Sequence, residues 1–338
     1  MADRNDVFHL GVVLTPGFSL MGFASTIEPL RGANLISGRT IYRWTHLSPD
    51  GGTVIAGSGL EVLTAALPAP AEADFNMVVV CGGLGSESYH NSKLRVFLRR
   101  LITRRVIVGS VSTASFILAE AGLLDNRRCT VHWDYIEAFQ EAYPHIDVRN
   151  ELFVIDNRVF TCAGGTAAMD VMLQFIRQQL GDRFASAVSD QFIYGAIRQP
   201  RDAQRMALRS RLGIAHPVVV KAIETMEGAT EAPLALPAIG KKVGVSARQL
   251  ERLFHRYLQC SPSHYYIGLR LEKARRLLWL TTLSVMEIGV ASGFTSASHF
   301  ARAYRAHFKV VPSADRRPEV VPFAPQQSPR TTARRKRG

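Results

Sequence analysis

The chain has 338 residues, and at roughly 100–200 residues per domain that length calls for two or three domains. Apolar residues make up 47% and charged residues 20%, which excludes wholesale disorder and collagen-like or low-complexity fibres; no apolar run reaches the ~18 residues of a membrane span, and the opening MADRNDVFHLGVVL lacks a basic-then-apolar leader, so the chain reads as cytosolic. The net charge of +13 is unevenly spread: residues 1–200 carry 17 Lys and Arg against 19 Asp and Glu, residues 201–338 carry 24 against 9, so −2 stands beside +15 and a polyanion-binding module follows a neutral one, with nucleic acid ahead of anionic membrane because no basic amphipathic surface helix stands out.

In chain order, His9–Leu14 is a short apolar strand broken by Pro16-Gly17 before an amphipathic run from Ser19 to Leu35. Tyr42–Ser48 and Thr53–Leu63 flank Pro49-Asp50-Gly51-Gly52 and read as a β-hairpin. A strand at Met77–Cys81, a helix near Asn91–Arg104, a strand at Val106–Gly109 and a helix at Thr113–Ala121 follow. Strands apolar from end to end, each followed by a helix, predict an α/β domain with a largely parallel sheet. A second hairpin, Leu152–Cys162 around Asp156-Asn157, precedes two helices ending near Ile197. Within VIVGSVSTASFILAEA, strand, sharp turn and helix put Ser112 where a nucleophile sits, with His132 twenty residues on as a candidate base. Against catalysis, Ser110 and Ala114 stand where a strained elbow prefers Gly, and a serine depends on an oriented base more than a thiol does. Cys81, Cys129, Cys162 and Cys260 form no CxxC pair or metal spacing and read as buried free thiols.

Residues 199–217 are polar and Arg-rich without sustained apolar periodicity and read as a linker. Beyond them the pattern is helical and repeats itself. Ile239-Gly240, Gly244, Leu250, Phe254, Leu258 and Pro262 recur as Ile288-Gly289, Gly293, Phe300, Tyr304, Phe308 and Pro312, offset by 49 residues to the second glycine and by 50 after it. Each copy holds a short helix, a glycine turn, a hydroxyl cap and a longer helix, the parts of a helix-turn-helix. The apolar stripes leave Ser246, Arg248, Gln249, Arg252 and Arg256 for DNA on the first long helix, and Ser296, Ser298, His299, Arg302 and Arg305 on the second. Arginine can fork onto guanine, glutamine onto adenine, and hydroxyls can hold phosphates. Two such helices, separated by Tyr265–Leu280, can enter successive major-groove segments about 34 Å apart. Solvated faces of an ordinary helical bundle are the plainer reading of a single such helix; the duplication and the charge argue against it.

RLEKARRLL at 270–278 and GFTSASHF at 293–300 resemble the AraC/XylS-type transcription factor domain over about 100 residues, 218–317. That family usually has Gly where this chain has Gln259 and Lys309. VVVCGGLG, GSVSTASFILAEAGLLDNRRCTVHW and TCAGGTAAMDVMLQFI resemble the PfpI-type, class I glutamine-amidotransferase-like domain of GlxA-family regulators over 8–198. Enzymes of that superfamily carry cysteine at the elbow where this chain has Ser112, so the resemblance implies a sensor rather than an enzyme, with no cofactor and no metal. It implies a ligand pocket over the carboxyl ends of the strands, built from Glu28, Gly82-Gly83, Ser112, Thr113, His132 and Trp133. Each has a plainer reading: a surface carboxylate at Glu28, a tight turn at Gly82-Gly83, a structural His132 and a core Trp133.

The expected molecule is thus a flavodoxin-like α/β domain (8–198), a linker (199–217), an all-α domain with two helix-turn-helix units (218–317) and a disordered basic tail (318–338). The function expected from the charge, the repeat and the resemblance is a ligand-responsive, double-stranded-DNA-binding regulator, an activator of a quaternary-amine or amino-acid catabolic operon. It would be dimeric and would contact RNA polymerase but no membrane. An active PfpI-like amidase or hydrolase with a DNA-binding tether, and an architectural protein with a vestigial sensor, stay open as alternatives.

Overall fold

A computed structural model describes residues 7–205, 208–214 and 216–316; the tail at 318–338 lies outside them. Packing divides these residues into two compact units, one of residues up to 123 with 155–198, the other of 124–154 with 199–316.

The first unit is organised by an eight-stranded sheet. Its strands are β1 (Phe8–Leu14), β2 (Tyr42–Ser48), β3 (Asp50–Ile55), β4 (Glu61–Ala66), β5 (Met77–Cys81) and β6 (Ile107–Val111), with β9 (Phe153–Asp156) and β10 (Val159–Cys162) at one edge, in the order β3-β4-β2-β1-β5-β6-β10-β9. β1 pairs in parallel with β2 and β5, and β6 with β5 and β10. The central strand β5 is buried along its whole length, which is why it reads apolar without alternation. Helices α1 (Leu20–Ser37), α2 (Ser92–Thr103), α3 (Ser115–Glu120), α5 (Ala167–Leu180) and α6 (Asp182–Gln191) complete the unit. Its last turn is held by buried Asp170 on α5, which accepts from the Arg198 backbone N–H at 2.8 Å, Arg198 Nε at 3.0 Å and the Tyr194 hydroxyl at 2.9 Å.

Two sequence expectations are corrected. The first hairpin is β3–β4, one connection later than expected: Thr53–Leu63 bends at Gly59, and β2 pairs in parallel with both β1 and β4. The second of the two late helices ends at Gln191, short of Ile197. Within 199–217 lies a short helix, α7 (Leu208–Leu212), and Leu208 and Ile214 are buried in a helical core.

The second unit begins with β7 (Arg128–Cys129) and β8 (Asp147–Val148), paired in parallel around α4 (Ile136–Ala142). After α7 come α8 (Pro217–Glu227), α9 (Leu236–Val243), α10 (Ala247–Leu258), α11 (Pro262–Leu280), α12 (Val285–Ala291), α13 (Ala297–Phe308) and α14 (Pro312–Asp315). Two cores form here. Val219, Ile223, Ile239, Leu250, Phe254 and Tyr266 make the first; Leu271, Leu277, Ile288, Phe294, Phe300 and Tyr304 make the second. α11 serves both, its first half closing one core and its second half the other, so the 19-residue helix is the shared wall of two similar units.

Candidate nucleic-acid interface and effector site

Each reading helix is set by local chemistry. Gly244 ends α9 in the left-handed region at φ 78° and caps Gly240 and Lys241, while a Cβ at Gly240 would lie 2.6 Å from the Val245 carbonyl oxygen, so the repeated Ile-Gly pair permits the turn to close on the helix. Ser246 then caps α10 by accepting the Gln249 N–H at 3.2 Å, and Ser296 caps α13 by accepting that of His299 at 3.4 Å. Ser284 and Glu287 form a reciprocal capping box at the start of α12. With Leu250 and Phe254 turned into one core and Phe300 and Tyr304 into the other, all ten expected contact residues are exposed: Ser246, Arg248, Gln249, Arg252 and Arg256, and Ser296, Ser298, His299, Arg302 and Arg305. Lys241 and Lys242, at the end of α9, are exposed as well.

Gln259 and Lys309 adopt φ of 56° and 64°, and each backbone N–H caps the helix before it. Both helix ends therefore follow the left-handed path that glycine takes most easily, although neither residue is glycine. Arg270 of α11 fixes the second turn. Its Nε donates to the Ser292 carbonyl at 2.9 Å and its NH2 to that of Gly293 at 2.6 Å, while the guanidinium lies 4.1 Å from the Phe294 ring centroid. Sequence reading missed this residue because its partners are backbone carbonyls 22 and 23 positions away.

In the first unit, three of the expected pocket residues come together at the carboxyl ends of β5 and β6. Ser112 follows β6 with φ 64°, and Thr113 Oγ1 donates to the Gly83 carbonyl at 2.5 Å. The elbow is strained despite Ser110 and Ala114, because the room comes from other strands: a Cβ at Gly82 would stand 2.6 Å from the Ala114 nitrogen, and one at Gly164 2.7 Å from the Ser112 Cβ. Gly82 and Gly164, remote from Ser112 in sequence, thus give the room that flanking glycines would. The Gly83 N–H, a candidate oxyanion donor, already donates to Ser86 Oγ at 3.0 Å. Burial pushes the nearby thiols of Cys81 and Cys162 up to about 12, so both are protonated at neutral pH. Glu28 is engaged elsewhere on α1, its carboxylate 2.6 Å from Arg31.

His132 and Trp133 belong to the second unit. His132 Nδ1 accepts the Asp134 N–H at 3.3 Å, and burial holds its imidazole below the usual range. Trp133 is half-buried, and the guanidinium of Arg205 stands 4.3 Å from its ring centroid. Beside it, Asp134 and Glu137 face Arg276 of α11 at 3.6 and 3.2 Å. Neither arginine, 72 positions beyond Trp133 and 139 beyond Glu137, was legible as a partner in the sequence. Among the described residues no group of three His, Cys, Asp or Glu side chains is placed to hold a metal ion, and no helix is long and apolar enough to cross a membrane.

Residues 10–178 match the DJ-1/PfpI family and residues 239–318 a helix-turn-helix domain. The HTH-type transcriptional regulator CdhR of Pseudomonas aeruginosa is 45% identical over 318 residues, 94% of this chain and 94% of that one. The HTH-type transcriptional regulator GbdR of Pseudomonas aeruginosa (strain UCBPP-PA14) is 42% identical over 307 residues, 91% of this chain and 83% of that one. The HTH-type transcriptional regulator GlxA of Rhizobium meliloti is 40% identical over 316 residues, 94% and 98%. Among solved structures, an AraC family transcriptional regulator from Pseudomonas putida is 28% identical, with a TM-score of 0.50 over 55% of this chain and 99% of that one.

Proposed function

Because the chain belongs to the family of helix-turn-helix transcriptional regulators that join a DJ-1/PfpI domain to an AraC-type DNA-binding domain, we propose that it is a cytoplasmic, dimeric activator that answers a small cationic effector, an amine or amino acid, and recruits RNA polymerase to a catabolic operon. The observation that carries the DNA-binding part is the pair of capped helices, α10 and α13, each with its apolar stripe in a core and its five polar or basic side chains in solvent. Domain limits of 8–198 and 218–317, joined through 199–217, go with this reading. Selection of bound sequences from random duplex by the full chain should yield a site with two half-sites about one helical turn apart; enrichment of no sequence would reject base reading.

The effector reading rests on Trp133, whose face already holds a cation, with Asp134 and Glu137 beside it. Beside Trp133, His132 is proposed as a second effector contact; Gly83, Ser112 and Thr113, gathered within the first unit, are proposed as effector-binding residues on that unit by itself, where Glu28 would serve only after releasing Arg31. Glycine betaine, carnitine and arginine are the first compounds to screen by thermal shift on the full chain. A ligand at 100 times its dissociation constant adds about 2.7 kcal/mol.

The protein is proposed not to be an enzyme. Protonated thiols and a committed Gly83 N–H support binding over turnover. The left-handed backbone at Ser112 favours a second reading, a serine hydrolase. Hydrolysis of p-nitrophenyl acetate that disappears in Ser112→Ala would establish it; the sensor reading expects no turnover in the parent.

A further inference from the structure

The face of Trp133 is occupied from within the chain, and we infer that Arg205 is its internal ligand: an effector bearing a guanidinium or similar planar cation acts by exchanging with Arg205, which releases the segment that leads into the DNA-binding half. This rests on the cation reading above and adds how binding is passed on.

Residues 199–205 lie along the strip formed by 130–152. The Leu152 N–H donates to the Pro200 carbonyl at 2.9 Å, and Gln204 Nε2 approaches Thr130 Oγ1, the Val131 carbonyl and the Glu151 carbonyl at 3.0, 3.0 and 2.8 Å. Two amide hydrogens thus serve three acceptors, and the buried Oε1 of Gln204 has no hydrogen-bond partner among the described residues, so this anchor orders the segment without being fully satisfied. Arg205 is the next residue. It is exposed, and its guanidinium stacks on Trp133, a geometry that a free cation can copy.

Three positions beyond Arg205, Leu208 opens α7 and is buried in the first helix-turn-helix core with Ile214. A change at Arg205 is therefore separated from that core by two residues. The same strip holds α11, the wall shared by both reading units, through Arg276 on Asp134 and Glu137. Three side chains at 133–137 thus hold two arginines, Arg205 from the connecting segment and Arg276 from the DNA-binding half. Arg205 is the one whose partner is a ring face rather than a carboxylate, so it is the one that a cationic ligand can replace without first breaking an ion pair.

The test titrates the full chain with methylguanidinium, and with N-methylurea as its neutral planar counterpart, at matched ionic strength. The indole N–H resonance of Trp133, assigned by Trp133→Phe, reports binding, and hydrogen exchange over 199–214 reports release. Methylguanidinium should move the indole signal and raise exchange over 199–214 in the parent, and N-methylurea should do neither. In Arg205→Gln the apparent affinity for methylguanidinium should rise about two- to fivefold, the worth of an exposed cation–π contact, and exchange should already be high without ligand. Arg205→Lys should fall between the two. Binding of equal affinity in parent and Arg205→Gln, with unchanged exchange, overturns the exchange mechanism and leaves the cation site standing. Absence of any indole shift in parent and variant overturns the cation site itself.

Discussion

At the scale of single residues, backbone conformation separates what sequence reveals from what it hides. Gln259 and Lys309 stand where glycine would be conformationally free, yet both hold the left-handed geometry that closes a helix. Left-handed backbone costs an L-residue about 1–2 kcal/mol, partly offset by the entropy glycine loses on folding. Gln259→Gly and Lys309→Gly should therefore each stabilise the protein by about 0.5–1 kcal/mol; a denaturant midpoint unchanged in both would show the strain to be absorbed elsewhere. Base-reading and phosphate-holding residues can be told apart by the same approach. Arg252, exposed on α10 two residues after buried Leu250, should cost about 1–3 kcal/mol as Arg252→Ala and relax preference at one base position. Lys241→Ala, at the end of α9, should weaken binding to all sequences alike. Competition assays with the selected site and random duplex distinguish the two. These surface residues were legible because a helical stripe of Leu250, Phe254 and Leu258 fixes what must face outward. The strain at Ser112 was not, since Gly82 and Gly164, which make room for it, are remote in sequence.

Whole elements follow the same division between local and distant causes. The parallel core strands were readable from their unbroken apolar runs, and both helix-turn-helix units from their repeat. β2 was misassigned because Pro49-Asp50-Gly51-Gly52 is a good turn in isolation, while the partner of a strand is decided by burial: Tyr42 and Leu47 turn inward beside β1, and the antiparallel pairing passes to β3 and β4 at the sheet edge. Nothing regular was expected between 122 and 152, where the elements are two-residue strands and short helices that a periodicity of 3.6 or 2 cannot reveal. On α11 the decisive residue is Arg270, which ties the helix to the turn of the second unit. Arg270→Met keeps the volume over Phe294 but removes both donors to the carbonyls of Ser292 and Gly293. It should lower stability by about 1–3 kcal/mol and weaken protection of the half-site read by α13 more than that read by α10. Footprints weakened equally at both half-sites would assign Arg270 to general stability.

For the molecule as a whole, charge and architecture agree. The +15 lies entirely in residues 201–338, so affinity for random duplex should fall steeply with salt, by about 10³–10⁵ between 50 and 200 mM for six to ten phosphate contacts. Fluorescence anisotropy at the two concentrations measures it, and a flat response would separate the basic half from phosphate binding. The close fit at Gly293 bears on what this protein can recognise. A Cβ there would stand 2.5 Å from the Thr230 carbonyl oxygen and 2.7 Å from the Pro233 ring, so the turn of the second unit rests against the connection between α8 and α9 of the first. Together with the shared helix α11 and the Arg270 tether, this leaves the two reading heads no independent swivel. One extra base pair between half-sites turns the second by about 34–36° out of reach, and a full extra turn of about 10 base pairs restores its angle but leaves it some 34 Å too far. Neither insertion should be tolerated by one copy of the chain, so the operator is defined by a gap length as firmly as by its letters, and the DNA-binding half acts as a caliper set to one opening.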